Sequence, residues 1–209
     1  PRSRGLGDVY KRQIGNWVIN EACRQLREWH LQGHQSWSIA VNLSTLQFEQ
    51  PSLVKTVLDC LALHQVPPEM LILEVTETTA MSNPDESVRV LTELTDAGVK
   101  ASIDDFGTGY SSLLYLKRLP ACELKIDRAF VKELSGESED ATIVSAIVAL
   151  AKTLNLKVVA EGVETEAQQA FLTELGCNTL QGYLLGKPVS AQTIEALCAR
   201  GEMLPGAEQ

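Results

Sequence analysis

The stretch Ile103–Leu113 reads IDDFGTGYSSL and is the most informative part of the chain. The apolar run Val99–Ile103 predicts a β-strand that two adjacent carboxylates, Asp104 and Asp105, close before a loop with two glycines. Adjacent carboxylates repel each other unless a cation or another partner offsets both charges. A strand that ends in acidic residues and opens into such a loop is typical of the rim of an α/β barrel. A solvated acidic turn is the alternative for the pair taken alone.

The composition is that of an ordinary globular protein. A chain of 209 residues with 44% hydrophobic and 22% charged residues fits one domain with a sizeable core. The net charge of −9 argues against binding of a nucleic acid polymer, although bound divalent cations can still recruit a phosphate ligand to an acidic site. Five scattered cysteines without a CxxC pattern predict buried thiols in a reducing compartment, not disulfides or a zinc site.

The sequence contains no apolar run of transmembrane length and no secretory signal. We therefore expect a cytoplasmic segment without direct membrane contact, which leaves open a parent protein anchored in the inner membrane.

From Ile14 onward, strand and helix patterns alternate with short turns. About six βα units are predicted, which favours a parallel sheet and an incomplete barrel, with a doubly wound open sheet as the structural rival. The predicted strands are Trp37–Leu43, Met70–Val75, Val99–Ile103, Cys122–Ile126, Lys157–Ala160 and Asn178–Leu180. The predicted helices are Ile14–Gln32, Pro51–His64, Asp85–Ala97, Asp140–Leu154, Thr165–Leu175 and Ala191–Ala199.

The two ends of the chain are predicted to lie outside the domain. Residues 1–13 show no helical or strand period and resemble a translated sequencing adaptor, so we expect a non-native or disordered segment there. The domain itself is expected over residues 14–200, and residues 201–209 are expected to form a polar tail.

Each predicted strand ends in polar side chains. Because the carboxyl ends of parallel strands share one side, these groups are expected to converge on the face of a barrel that carries active sites. The groups in chain order are Asn42, Glu74 with Glu77 just beyond, Asp104 and Asp105, Lys125 and Asp127, Glu161 with Glu164, and Gln181.

The chemistry of these side chains points to phosphoryl transfer. Oxygen ligands without His or Cys suit Mg²⁺ or Mn²⁺, and two such ions can clamp the attacking and leaving oxygens of a displacement. Lys125 could stabilise phosphate charge or orient water, and Glu161 is a plausible general base. A barrel aldolase with Lys125 as Schiff-base nucleophile is rejected, because carboxylates around the lysine favour its protonated form.

Six ordered motifs resemble the EAL-domain cyclic di-GMP phosphodiesterases of bacteria. They are VNLS, ExTE, DDFGTGYSSL, LKID, EGVE and QGYLLGKP, and the resemblance runs from about Ile14 to Arg200. It implies a modified TIM-type (β/α)8 barrel that hydrolyses cyclic di-GMP to linear pGpG with Mg²⁺ or Mn²⁺.

The same resemblance implies a role for each matching residue. Asn42, Glu74 and Asp104 resemble metal ligands, Asp105 serves a second ion, and Glu161 resembles the base or second-metal ligand, assisted by Lys125. Asp127, Glu164 and Gln181 resemble residues that hold water, metal or substrate. Glu77 resembles the residue that steadies the loop Phe106–Leu113, which in relatives links the metal site to dimerisation.

One departure from the family pattern is serious. The Glu-Ala-Leu motif of the first barrel strand, with its metal-binding glutamate, is absent, as is the neighbouring basic residue. We expect an N-terminally truncated domain of weak or no activity, whose intact parent is an active phosphodiesterase. A non-catalytic cyclic di-GMP receptor or interaction module is the alternative. The resemblance also implies a homodimer of the complete protein and an upstream sensor or GGDEF domain.

Overall fold

The computed structural model describes residues 2–109, 113–134 and 138–201, with side chains described from residue 13 onward. The strands are β1 (Ile39–Leu43), β2 (Leu71–Thr76), β3 (Lys100–Phe106), β4 (Glu123–Ile126), β5 (Lys157–Ala160) and β6 (Thr179–Leu180). The helices are α1 (Arg2–Leu31), α2 (Thr45–Phe48), α3 (Leu53–His64), α4 (Glu77–Ser82), α5 (Pro84–Asp96), α6 (Leu113–Leu116), α7 (Arg128–Lys132), α8 (Glu139–Thr153), α9 (Glu166–Leu175) and α10 (Ala191–Ala199).

The described chain forms two compact units. The first runs to Ile103 and includes Gly109–Cys122, and the second comprises Asp104–Thr108 and the chain from Glu123 on. In the first unit β1 and β2 pair in parallel, and α1 packs against α3. Leu71, Leu73 and Val75 of β2 are fully buried, as the alternation of side chains along a strand requires for one face turned to the core. Helix α1 also packs on β1, and α1 and α3 bury apolar residues such as Cys23, Leu26, Val57 and Leu61.

The second unit is built on β4, β5 and β6, which pair in parallel. Helix α8 packs on β4 and β5, and it buries Val144, Ile147, Val148 and Ala151 at helical spacing. Its N-terminus is capped by Ser138, whose side chain accepts a hydrogen bond from the backbone N–H of Ala141.

The strand order is β1-β2-β3-β4-β5-β6, the order along the chain. A doubly wound sheet reverses its strand order at a switch point, whereas a barrel keeps sequential neighbours together. The observed order therefore argues against the doubly wound alternative.

The predicted start of the first helix at Ile14 is wrong, because α1 begins at Arg2. Once nucleated, a helix continues through good helix formers such as Arg, Leu and Lys even where they form no apolar stripe. The lack of a periodic apolar pattern before Ile14 therefore did not mark the N-terminus of α1. The foreign origin of residues 1–13 stays a prediction, and residues 202–209 of the predicted tail lie outside the described residues. The prediction of buried thiols is confirmed for Cys23 and wrong for Cys198, which is exposed, while Cys60, Cys122 and Cys177 are half-buried.

Four short helices were not predicted: α2, α4, α6 and α7. Three of them begin at a side-chain cap within two residues of a strand end, with Ser44, Thr76 and Asp127 as the capping residues. A helix of four to six residues is too short for a periodic apolar pattern, so only the caps signal it. Among the described residues, no helix combines the length and apolar character needed to cross a bilayer.

Candidate active site

Asp104 and Asp105 lie within β3, which continues to Phe106, and not after the strand as predicted. Asp104 is buried and Asp105 half-buried, and the Asp105 backbone N–H donates to Asp104 Oδ1 at 3.0 Å. Successive side chains of a regular strand point to opposite faces. Asp105 departs from that pattern with a left-handed backbone at φ 54°, a conformation that Asp tolerates better than most residues. This local turn allows both carboxylates to face the same cluster.

Lys125 of β4 supplies the positive charge beside these carboxylates. Its side chain is almost fully buried, and its Nζ lies 3.2 Å from Asp104 Oδ1 and 2.6 Å from Glu161 Oε1. A buried ammonium group is tolerated only when it is paired, and here two carboxylates pair it. The arrangement agrees with rejection of the Schiff-base lysine, which requires the neutral amine.

Asp104, Asp105 and Glu161 form an oxygen-rich cluster in the second unit. One carboxylate oxygen from each residue lies within 4.8 Å of the other two. Burial, followed by the charge of Asp104, hydrogen bonding to Asp127 and the charges of Asp127 and Glu161, raises the pKa of Asp105. A hard divalent cation would relieve this repulsion, and three carboxylates with no His or Cys are donors that Mg²⁺ or Mn²⁺ accepts. The residues therefore fit such an ion.

The loop after β5 places Glu161. The Glu161 backbone N–H donates to Ile126 O at 3.2 Å, so the residue is tied to the end of β4. Gly162 has a left-handed backbone at φ 73°, and a β-carbon there would lie 2.6 Å from Cβ of Arg128. Glycine is required at this point for both reasons. The loop then joins Gln181, whose backbone O accepts from Val163 N at 3.0 Å.

The remaining predicted residues of the second unit lie outside the three-carboxylate cluster. Asp127 caps α7 through a 2.7 Å bond from Ala129 N to its Oδ1, and it interacts with Asp105. Glu164 and Gln181 are exposed.

In the first unit, Asn42 and Glu74 are partners in the parallel register of β1 and β2. Partner residues of a parallel pair present their side chains on the same face of the sheet. Asn42 is exposed, and Glu74 is buried on the face of β2 opposite the core residue Leu73. The two residues thus lie side by side near the ends of β1 and β2, and their role as metal ligands stays a prediction.

Glu77 begins α4 and is 2% exposed. Its Oε2 accepts from the backbone N–H of Gly109 at 3.4 Å, and a β-carbon at position 109 would lie 3.0 Å from its Oε1. The carboxylate thus contacts the glycine-bearing loop at Gly109, and its role in steadying that loop stays a prediction. Residues 110–112 of that loop lie outside the described residues.

Gln168 was not among the predicted site residues, although this buried residue of α9 contacts the loop that carries Glu161 and Glu164 through its side chain. The available signal was the capping-box pattern Thr165-x-x-Gln168. The chain also contains a Glu-Ala-Leu triplet, Glu195-Ala196-Leu197. It lies in helix α10 and so places no glutamate at the end of a strand.

The chain is similar to known proteins over most of its length. It is 64% identical over 187 residues to the bifunctional diguanylate cyclase/cyclic di-GMP phosphodiesterase MucR of Pseudomonas aeruginosa, covering 90% of this chain and 27% of that protein. The chain thus spans about a quarter of the length of this relative. The structure of the PaMucR phosphodiesterase in complex with c-di-GMP matches with a TM-score of 0.87 at 61% identity, over 93% of this chain and 78% of that one.

A manganese/cy-diGMP complex of BlrP1 from Klebsiella pneumoniae matches with a TM-score of 0.74 at 32% identity, over 85% of this chain and 45% of that one. These structural matches confirm the predicted α/β fold of TIM-barrel type, with six parallel strands in the described residues. The EAL domain profile matches residues 9–188. The chain belongs to the EAL domain family.

Proposed function

We propose that this chain is the phosphodiesterase part of a protein that hydrolyses cyclic di-GMP to linear pGpG with Mg²⁺ or Mn²⁺. The observation that carries the proposal is the cluster of Asp104, Asp105 and Glu161 around the buried Lys125. Membership of the EAL domain family and the similarity to MucR support cyclic di-GMP as the substrate.

The cluster offers the ligands for a metal ion. Asp104, Asp105 and Glu161 would hold it, and the family resemblance assigns further oxygen ligands to Asn42 and Glu74, with two ions in all. When bound, the metal supplies charge neutralisation at the phosphate and makes water more acidic. The complex of BlrP1 with manganese and cyclic di-GMP supports a divalent ion in this family.

The other groups act on the proton and on the phosphate charge. Glu161 accepts the proton of the attacking water, since a carboxylate is a competent general base when a hydrogen-bonded path to water exists. Lys125 holds Glu161 and Asp104 in place and counters negative charge that grows on the phosphate. Asp127, Glu164 and Gln181 are proposed to hold water or substrate, and Glu77 to steady the loop that begins at Gly107.

A cyclic di-GMP receptor without catalysis is the second candidate. It is supported by the structure of the PaMucR phosphodiesterase in complex with c-di-GMP, because that similarity bears on binding of the ligand and not on its turnover. From the family resemblance, in which the glutamate of a Glu-Ala-Leu strand is a metal ligand, we also propose that the 209-residue chain alone hydrolyses slowly or not at all.

The proposal extends to the cellular setting. A homodimer is supported by the exposed Leu113 and Leu114 of α6, which follow the glycine-bearing loop. We also propose a cytoplasmic location, and a parent protein with an upstream sensor or GGDEF domain that can be anchored in the inner membrane.

The test compares the 209-residue chain with the full product of its gene. Each is incubated with cyclic di-GMP and Mg²⁺ or Mn²⁺, with an EDTA-treated sample as control, and pGpG is followed by chromatography. Metal-dependent release of pGpG by the gene product supports the proposal. Metal-dependent binding of cyclic di-GMP without turnover favours the receptor, and neither binding nor turnover would refute both. Equal rates for the two proteins would contradict the weak activity proposed for this chain.

A further inference from the structure

We infer that Gln168 is a positioning residue that holds the loop Glu161–Thr165 in place for metal binding and catalysis. The inference rests on the proposed function, because it takes Glu161 and Glu164 to belong to the active site. The side chain of Gln168 bonds to backbone groups and not to the three clustered carboxylates, so it acts through the loop.

The side chain of Gln168 is 5% exposed and is held by four hydrogen bonds. Its Oε1 accepts from the backbone N–H groups of Glu164 at 2.7 Å and Thr165 at 3.0 Å. Its Nε2 donates to the carbonyl oxygens of Val131 at 3.0 Å and Lys132 at 3.2 Å. A primary amide has two acceptor sites and two donor hydrogens, so its hydrogen-bonding capacity is fully used.

These four bonds join two segments that flank the Lys125–Glu161 ion pair. On one side, α7 begins directly after Asp127, two residues beyond Lys125. On the other, the loop bonded to Oε1 begins at Glu161, directly after β5. Gln168 therefore links the end of α7 to the loop that carries Glu161 and Glu164.

Helix capping alone does not account for this side chain. In a capping box, the residue at the third helical position only has to accept a hydrogen bond, and Glu serves as well as Gln. The same box occurs at Ser44 and Gln47 of α2, where Gln47 Nε2 is buried and has no partner in the described part of the chain. At Gln168, by contrast, the amide donor is bonded to two carbonyl groups of another helix. The amide oxygen of Gln168 caps α9, and its amide nitrogen bonds α9 to α7.

The link matters because Glu161 contributes to the cluster from an irregular loop and not from a strand. Loss of a residue that orients metal-binding groups typically lowers metal affinity or activity by about 10- to 100-fold. A displacement of about 1 Å at a reacting group can cost about 100-fold in rate. Loss of the two donor bonds is therefore expected to weaken metal binding and lower kcat, with little change in KM.

The test uses Gln168→Glu, which keeps the capping acceptor and removes both donor bonds. Gln169→Glu is the matched control, since it adds the same charge at the next residue of α9. The full product of the gene is purified with each substitution, and thermal unfolding confirms that each is folded at the assay temperature. We measure the Mn²⁺ dissociation constant by calorimetry, and kcat and KM for cyclic di-GMP.

We expect Gln168→Glu to weaken Mn²⁺ binding and lower kcat by about 10-fold or more, with the control within about twofold of wild type. A folded Gln168→Glu protein that matches the control in both readouts would overturn the inference. If the wild-type protein binds Mn²⁺ but releases no pGpG, the proposed function fails, while the Mn²⁺ affinities still decide the role of Gln168.

A second measurement needs no substitution and covers the case in which Gln168→Glu does not fold. Because linkage is reciprocal, bound Mn²⁺ should stabilise the link that favours its binding. Hydrogen exchange of the wild-type protein should then slow at the backbone amides of Glu164 and Thr165 when Mn²⁺ is added. Unchanged exchange at both amides under saturating Mn²⁺ would contradict the inference.

Discussion

The ammonium group of Lys125 lies 2.6 Å from Oε1 of Glu161, and the parallel register of β4 and β5 explains why. Lys125 is the register partner of Val159, and Glu161 follows Val159 by two residues. Since side chains two positions apart point to the same face, Glu161 continues the row that faces Lys125. Strand register thus brings Lys125 beside the end of β5, and the loop that begins at Glu161 completes the ion pair.

Replacement of Lys125 by Met should destabilise the metal-free protein. The change leaves Asp104 and Glu161 without their shared cation, and breaking a buried ion pair costs about 3–5 kcal/mol. Added Mn²⁺ should recover part of this loss, because it neutralises the same carboxylates. Urea unfolding with and without Mn²⁺ measures the effect. The matched control is Lys55→Met, at an exposed ion pair with Asp59, which should change stability by less than about 1 kcal/mol. An equal loss with and without Mn²⁺ would contradict the prediction.

Replacement of Glu161 by Gln should abolish turnover and leave binding of cyclic di-GMP largely intact. The amide keeps the size of the side chain and cannot accept the proton of water, and loss of a general base typically costs about 10²- to 10⁴-fold in kcat. Product release and cyclic di-GMP affinity are measured on the full product of the gene. Glu166→Gln, at an exposed carboxylate of α9, is the control and should stay within about twofold of wild type. Retained activity in Glu161→Gln would refute the assignment of the base.

Replacement of Asp105 by Asn should have opposite effects on stability and on metal binding. Burial and the neighbouring carboxylates raise the pKa of Asp105 above its ordinary value of 3.8, so the folded state binds its proton more tightly than the unfolded state. Stability of the metal-free protein therefore falls as pH rises from 3.8 through the raised pKa. Asn removes that fall and tolerates the left-handed backbone at this position.

At neutral pH we expect the metal-free Asp105→Asn protein to unfold at a higher temperature than wild type, because the amide carries no charge to repel the neighbouring carboxylates. Mn²⁺ affinity should rise with pH over the same window in wild type and be reduced at every pH in the variant. Calorimetry of unfolding and of Mn²⁺ binding checks both. A lower unfolding temperature without metal would contradict the explanation by repulsion.

Replacement of Gly15 by Ala should destabilise the protein, although Ala normally favours a helix over Gly by about 1 kcal/mol. A β-carbon at this position of α1 would lie 1.9 Å from Nε2 of Gln47, which is buried. Overpacking of this kind costs about 1–3 kcal/mol. The control measures Gly15→Ala again in a Gln47→Ala background, where the clashing amide is absent. If Gly15→Ala lowers the free energy of unfolding equally in that background and in the wild-type protein, the clash is not the cause.

The longer elements and the chemistry of their ends could be predicted from local sequence. The strand Lys157–Ala160 and the helix Ala191–Ala199 lie where the apolar pattern and the helix signals put them. The short helices could not be predicted from periodicity, since four to six residues contain too few apolar positions. The left-handed backbone of Asp105 could not be predicted either, because only the tertiary surroundings hold an acidic residue in that conformation.

The sequence by itself determined the alternation of strands and helices, the oxygen-rich character of the strand ends and the family to which the chain belongs. These properties depend on residue type and on spacing along the chain, which are local. Only the tertiary structure decided that Asp104, Asp105, Glu161 and Lys125 meet, that Glu164 and Gln181 are exposed, and that Gln168 joins α7 to the loop after β5. Contacts between residues this far apart in sequence depend on strand register and helix packing, and no local pattern encodes them.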